Sequence, residues 1–197
     1  MIKFEEEAED CCDKKKNDGD YNEKFLKTRQ ILLSGEIDED IAQDVIKQLF
    51  TLEAESDEPI KIYIDSPGGS VDSGFAIFDT IRFINAPVYT IGMGLVASAG
   101  ALVLLAAPKE NRLAFPNSHY LIHQPLLSGL RGTATEIEIQ ATEIEKTRAR
   151  INEIISEETG KSLKQVAKDT DRDYWLVAKE AVDYGLVSRI ITKRSEM

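Results

Sequence analysis

Apolar and polar positions change period several times along the chain, and each change predicts an element. Gln30-Ile-Leu-Leu-Ser34 is a short β-rich run, and Gly35 with Asp38 is expected to turn it into a helix whose apolar positions Ile41, Val45, Leu49 and Leu52 recur at helical spacing. Pro59 marks the next break. Ile60 to Ile64 reads as a second strand, Ser66-Pro-Gly-Gly-Ser70 as a turn, and Val71, Phe75, Phe78 and Ile81 as the apolar face of another helix. A β-branched run, Val88 to Ile91, leads into Gly92, Gly94, a serine among small residues (Ser98) and the apolar stretch Ala101 to Ala107. That order predicts strand, tight turn and buried helix. Three strand-turn-helix units in succession imply an α/β fold with a largely parallel sheet and right-handed crossovers.

The second half has a different rhythm. Arg112 to Phe115 and Tyr120 to Ile122 are expected as short strands bounded by Pro116-Asn117 and Pro125, followed by a Gly-containing connection from Leu126 to Gly132. Thr133 with Glu136 is a capping box, and the helical pattern runs on to about Thr159, where Gly160 can end it. At 1.5 Å per residue such a helix reaches roughly 39 Å, so it must project or pack on something large. Its stripe of Ile137, Ile144, Ile151 and Ile154/Ile155 suits either a core or a subunit interface. Ser162 with Gln165 opens a short helix, Trp175 to Tyr184 is expected as another helix closed by Gly185, and Val187 to Ile191 as a last strand.

Composition narrows the class of partner. A formal net charge of −11 argues against nucleic acid or an anionic membrane surface, which basic patches would hold. Met1 to Asp20 carries −4 of that charge with little hydrophobic periodicity, so residues 1–22 are expected as an acidic, mobile segment ahead of a single domain over 23–193 and a short tail over 194–197. The most apolar run, Gly94 to Pro108, is too short to span a bilayer and no signal-peptide pattern opens the chain, which points to the cytoplasm. Cys11 and Cys12 are adjacent, poor geometry for a mutual disulfide, and read as spare thiols rather than a metal or redox site.

Candidate chemistry centres on Ser98. Its hydroxyl is expected at the mouth of a helix, where free backbone N–H groups favour developing negative charge, although the G-x-S-x-G pattern is absent. Only two histidines exist, so an imidazole base is His119 or His123; four residues apart on a strand, they share a face and alternation does not choose between them. The β-rich context disfavours an H-x-x-x-H metal pair, and no metal site is expected. Gly68 and Gly69 allow close backbone approach to a ligand, as an oxyanion site or, less well, a phosphate cradle lacking the usual lysine. Asp169, Asp171 and Asp173 beside Arg172 read by default as a solvated helix end.

Taken together, Asp65-Ser-Pro-Gly-Gly69, Gly94-Leu-Val-Ala-Ser98-Ala-Gly100, Pro116-Asn-Ser118, Leu121-Ile-His123-Gln-Pro125, Ala134-Thr-Glu-Ile-Glu-Ile139 and Asp169-Thr-Asp-Arg-Asp173 closely resemble the proteolytic subunits of the ATP-dependent Clp protease. The resemblance covers about Tyr21 to Lys193. It implies a crotonase-like α/β fold of repeated strand-turn-helix units with a long projecting handle helix. It also implies a serine endopeptidase with Ser98 as nucleophile, His123 as general base and Asp173 as orienting carboxylate. Gly68, Gly69 and Ala99 would form the oxyanion and substrate-binding site, with the Gly69 and Ala99 N–H groups on the oxyanion. Two stacked seven-membered rings would enclose a chamber, joined through the long helix and the Leu126 to Gly132 strand. A ring-shaped Clp ATPase would feed in unfolded chains. No cofactor is expected in this chain, since ATP would be used by the partner. His119 keeps a structural reading. Asp65 stands where the family usually has Asn, Ala99 where it usually has Met, and Lys61 where many members have an aromatic in the ATPase-docking groove; Leu126 to Gly132 is one residue longer than usual. Two other readings remain open: a silent or conditionally active ring subunit working only with a sister subunit, and, by fold analogy alone, a crotonase-type acyl-CoA enzyme.

Overall fold

The computed structural model describes residues 21–127, 129 and 131–197. Most of the expected mobile N-terminal segment, with Cys11 and Cys12, lies outside these residues; 21–26 are helical. In chain order the elements are β1 (Gln30–Ile37), α1 (Glu39–Glu55), β2 (Ile60–Gly69), α2 (Val71–Phe83), β3 (Val88–Ala97), α3 (Ala99–Leu104), β4 (Arg112–Ala114), β5 (His119–Ile122), α4 (Ala134–Thr159), α5 (Leu163–Asp169), β6 (Tyr174–Val177), α6 (Ala178–Tyr184) and β7 (Arg189–Ile190). Strands β1, β2, β3, β4 and β7 pair in parallel in that spatial order. Alternate residues of β1 and β2 (Ile31, Leu33, Ile60, Ile62, Ile64) are wholly buried under Leu49 and Leu52 of α1 and Ile77 of α2, all in one core cluster.

β3 organises the sheet. Ten residues long, it has β2 on one edge and two short strands end to end on the other: β4 against Thr90, Ile91 and Gly92, then β5 against Leu95, Val96 and Ala97. β6 pairs antiparallel with β5 and extends that second tier. The turn expected at Gly92 and Gly94 is therefore not formed. Gly92 instead leaves the space taken by the Tyr120 ring, since a Cβ there would lie 2.9 Å from two of its ring carbons, and the strand continues to Ala97. β1 likewise runs on through Gly35 with a register shift between Ser34 and Glu36, and β2 absorbs the expected Ser66 to Ser70 turn up to Gly69. Trp175 to Tyr184 is also not one helix. Its first residues pair with β5, and the helix begins only at Ala178, because an exposed aromatic and β-branched run serves as well for a ladder as for a helix.

The long helix follows the expected limits. Thr133 and Glu136 form the reciprocal capping box, and Gly160 closes the helix with φ 76°. Its C-terminal half buries Asn152, Ile155 and Thr159, whereas Ile137 and Ile139 near its start are 40% and 57% exposed, so the stripe divides into core and projection. The root is anchored by Arg112. Its guanidinium is fully buried, donates to the Ala107 and Glu158 carbonyls (2.7 and 3.1 Å), and pairs with the Glu158 carboxylate, which also holds Arg82. At the other end of the chain Met197 packs with Tyr63, Ile91, Leu113 and Ile191 in a small separate cluster.

Candidate active site

Ser98, His123 and Asp173 each stand one residue beyond a paired strand. The ladder between β3 and β5 ends at Ala97 and Leu121, and the Ser98 N–H continues it by donating to the Leu121 carbonyl at 2.9 Å. Between β5 and β6 the partners are His119 with Val177, Tyr120 with Leu176, Leu121 with Trp175 and Ile122 with Tyr174; one more step places His123 opposite Asp173. Two adjacent ladders thus end at one level, at the carboxyl ends of the parallel strands, where α/β sheets place their ligands. His119 begins β5 four pairs away and is exposed. Of the two histidines, His123 alone stands beside an expected partner.

The peptide at Ser98 is strained. Ser98 has φ 54° and ψ −121°, and among the described residues only Arg29 is another non-glycine with positive φ. Such a conformation costs of order 1–3 kcal/mol and persists only where its surroundings enforce it. The consequence is a hydroxyl that caps no helix N–H and, among the described residues, has no hydrogen-bond partner. Gly68 makes room for this turn: a Cβ there would lie 2.6 Å from Ser98 Cβ and 2.8 Å from the Ala97 carbonyl, and its φ is 94°. The Gly68 N–H is already given to Ser66 Oγ at 3.1 Å. The Ala99 N–H heads α3 and has no acceptor within the helix.

His123 Nδ1 lies 3.0 Å from Asp173 Oδ1, an arrangement in which Nδ1–H donates to the carboxylate and Nε2 is free to take a proton. The imidazole is 13% exposed and the carboxylate 63%. Asp173 follows the turn after α5, so the solvated helix end of the sequence reading is also a partner of His123. Asp169 faces the other way and accepts from the Tyr184 hydroxyl at 3.0 Å, while burial and that carboxylate push the Tyr184 pKa up.

Ser98 and His123 open onto one cleft whose remaining wall is apolar, with Val71, Leu102, Leu105, Ile122, Ile151 and Ile155 among its lining residues. Ile151 and Ile155, read from the sequence only as core or interface, thus belong to the site wall. Ser66, Gln124 and Thr170 enter the sequence reading only as members of longer motifs, and Asn152 not at all. The available signal was Asn152, a polar residue among the buried positions of the long helix. Among the described residues no cluster of His, Cys, Asp and Glu has the makings of a metal site, and none of the helices is long and apolar enough to cross a membrane.

The Clp protease family model matches residues 13–194. The chain is 62% identical over 178 residues to the ATP-dependent Clp protease proteolytic subunit 2 of Treponema pallidum, covering 90% of this chain and 89% of that one. It is 54% identical over 173 residues to proteolytic subunit 3 of Rhizobium etli, covering 88% and 89%. A solved structure of a ClpP1 point mutant from Listeria monocytogenes matches with a TM-score of 0.82 at 50% identity, over 89% of this chain and 98% of that one. Similarity of this depth extends over nearly the whole length, and the chain belongs to the Clp protease family.

Proposed function

We propose that this chain is the proteolytic subunit of an ATP-dependent Clp-type protease, a serine endopeptidase with Ser98 as nucleophile, His123 as general base and Asp173 as orienting carboxylate. The observation that carries the reading is the shared level of the two ladder ends, with the His123–Asp173 contact of 3.0 Å beside a strained, unpartnered Ser98 hydroxyl. In the acylation step Ser98 Oγ attacks the peptide carbonyl carbon as His123 Nε2 accepts the hydroxyl proton. Asp173 holds the ring tautomer and stabilises the imidazolium. The Gly69 and Ala99 N–H groups receive the oxyanion, and donors so placed are worth roughly 10²–10³ in rate each. As the C–N bond breaks, His123 returns the proton to the leaving amine. Water, deprotonated by the same imidazole, then releases the acyl group and regenerates Ser98. The apolar cleft suits an apolar side chain next to the scissile bond.

Around this chemistry the reading places two stacked heptameric rings in the cytoplasm, a ring-shaped Clp ATPase that consumes the ATP, and unfolded polypeptide as substrate, with no cofactor in this chain. The named relatives are Clp proteolytic subunits, which gives no support to the acyl-CoA reading. The test is reaction of purified protein with a fluorophosphonate, read by intact and native mass. Labelling at Ser98 in a fourteen-subunit particle, lost in Ser98→Ala together with peptide hydrolysis, is the expected result. Unlabelled wild type that stays unlabelled with a sister subunit present refutes the reading. Labelling only in a mixed complex would favour the conditional subunit.

A further inference from the structure

The segment carrying Asp173 is tied to the long helix through a buried polar contact. Asn152, 5% exposed on α4, has its Oδ1 2.8 Å from the hydroxyl of Thr170, which is fully buried and caps the end of α5. Thr170 Oγ1 is also 2.9 Å from the Val166 carbonyl. A hydroxyl has one hydrogen, and both contacts are satisfied when it donates to Val166 and the Asn152 amide is turned to donate to Oγ1. From Thr170 the connection passes to the histidine side. The Gln124 N–H donates to the Thr170 carbonyl and the Gln124 amide to the Asp171 carbonyl, both at 2.7 Å. Gln124 adjoins His123, and Asp173 lies two residues beyond Asp171, so this stitch fixes the distance across which His123 and Asp173 meet.

Its chemistry is unlike its surroundings. The neighbouring α4 residues Ile151 and Ile155 line the apolar cleft, where an aliphatic side chain would pack with no desolvation cost. A buried polar pair in such a place selects one arrangement, because any other leaves both groups desolvated and unpaired. One turn earlier, Arg148 reaches Asp171 Oδ1 only at 3.4 Å and in solvent, and adds little.

We propose that Asn152 and Thr170, acting through Gln124, are positioning residues that set the Asp173 carboxylate against His123 and register the long helix with the reactive site. The inference rests on the peptidase reading above. The test compares Thr170→Val, which keeps the shape without the hydroxyl, with Thr170→Ser, which keeps the hydroxyl. For each variant the fluorophosphonate acylation rate at Ser98, and kcat and KM for a fluorogenic peptide, are measured beside the melting temperature and native mass. Thr170→Val is expected to slow acylation and kcat at least tenfold with KM within about twofold, and Thr170→Ser to return both to within about threefold of wild type. Adding Asn152→Ala to Thr170→Val should cost little more than the slower single variant, since the two remove one contact. Wild-type acylation in Thr170→Val, or no rescue by Thr170→Ser, overturns the proposal. If Thr170→Val fails to assemble, Gln124→Met decides: a kcat several-fold lower supports the proposal and an unchanged kcat overturns it. Wild type that never labels at Ser98 defeats the peptidase reading itself, and the positioning role with it.

Discussion

Replacing Asp173 by Asn removes one charge and leaves a side chain of the same shape, so its effect can be worked from the contact it breaks. The Nδ1 to Oδ1 distance is 3.0 Å, which puts the centres of the two charges about 4 Å apart once the imidazolium forms. At that separation the attraction is about 4 kcal/mol at an effective dielectric of 20 and about 1 kcal/mol in bulk water. The carboxylate is 63% exposed while the imidazole is 13% exposed, which discounts the larger figure to about 1.5–3 kcal/mol. That interaction is realised mainly when the ring becomes charged, so it falls on kcat, and at 1.36 kcal/mol per decade it amounts to roughly ten- to 150-fold. The Asn amide can also hold the wrong ring tautomer, which makes this range a floor. The assay is steady-state hydrolysis of a fluorogenic peptide by wild type and Asp173→Asn, with active sites counted by fluorophosphonate and assembly checked by native mass. A kcat within threefold of wild type in an intact particle would refute the role given to Asp173. A loss confined to KM would refute the argument that the charge acts on the transition state.

Other perturbations test other parts of the structure. Gly68→Ala would bring a methyl 2.6 Å from Ser98 Cβ at φ 94°, and displacing the nucleophile by about 1 Å should cost about 100-fold in acylation rate; a wild-type rate would show that the turn yields elsewhere. Glu158→Ala leaves the fully buried Arg112 guanidinium with carbonyl partners only, at a cost of about 3 kcal/mol or about 6–12 °C in melting temperature, measured by thermal denaturation. Burial pushes the Tyr120 pKa up to about 12, and the folded state therefore favours the neutral phenol. Its contribution, about 2–3 kcal/mol, is complete below pH 10 and is lost as pH rises from 10 to 12. Denaturant titrations across that range should show the loss in wild type and a flatter profile in Tyr120→Phe.

Much of the architecture is legible because its signals are local. Ile41, Val45, Leu49 and Leu52 sit at helical spacing, and three of them are buried in α1. Thr133, Glu136 and Gly160 mark both ends of the long helix through bonds made within a few residues. Where the pattern misled, a distant partner overrode it. Gly92 looks like a turn until the Tyr120 ring occupies the space beside it, and Trp175 looks helical until β5 supplies a ladder.

By itself, then, the sequence determined the α/β alternation, the length and caps of the projecting helix, and, through separate motifs in matching order, the family and the residues proposed for chemistry. It could not choose between His119 and His123 from alternation, since strand geometry puts both on one face. The resemblance named His123, and the tertiary structure shows the physical reason: the register between β5 and β6, two strands joined by about fifty residues of intervening chain, sets His123 and not His119 against Asp173. The strain at Ser98 and the Asn152–Thr170 contact also belong to the tertiary level. A positive φ on a serine and a buried amide on a helix are unfavourable locally, and each persists because packing from elsewhere in the chain removes the alternatives.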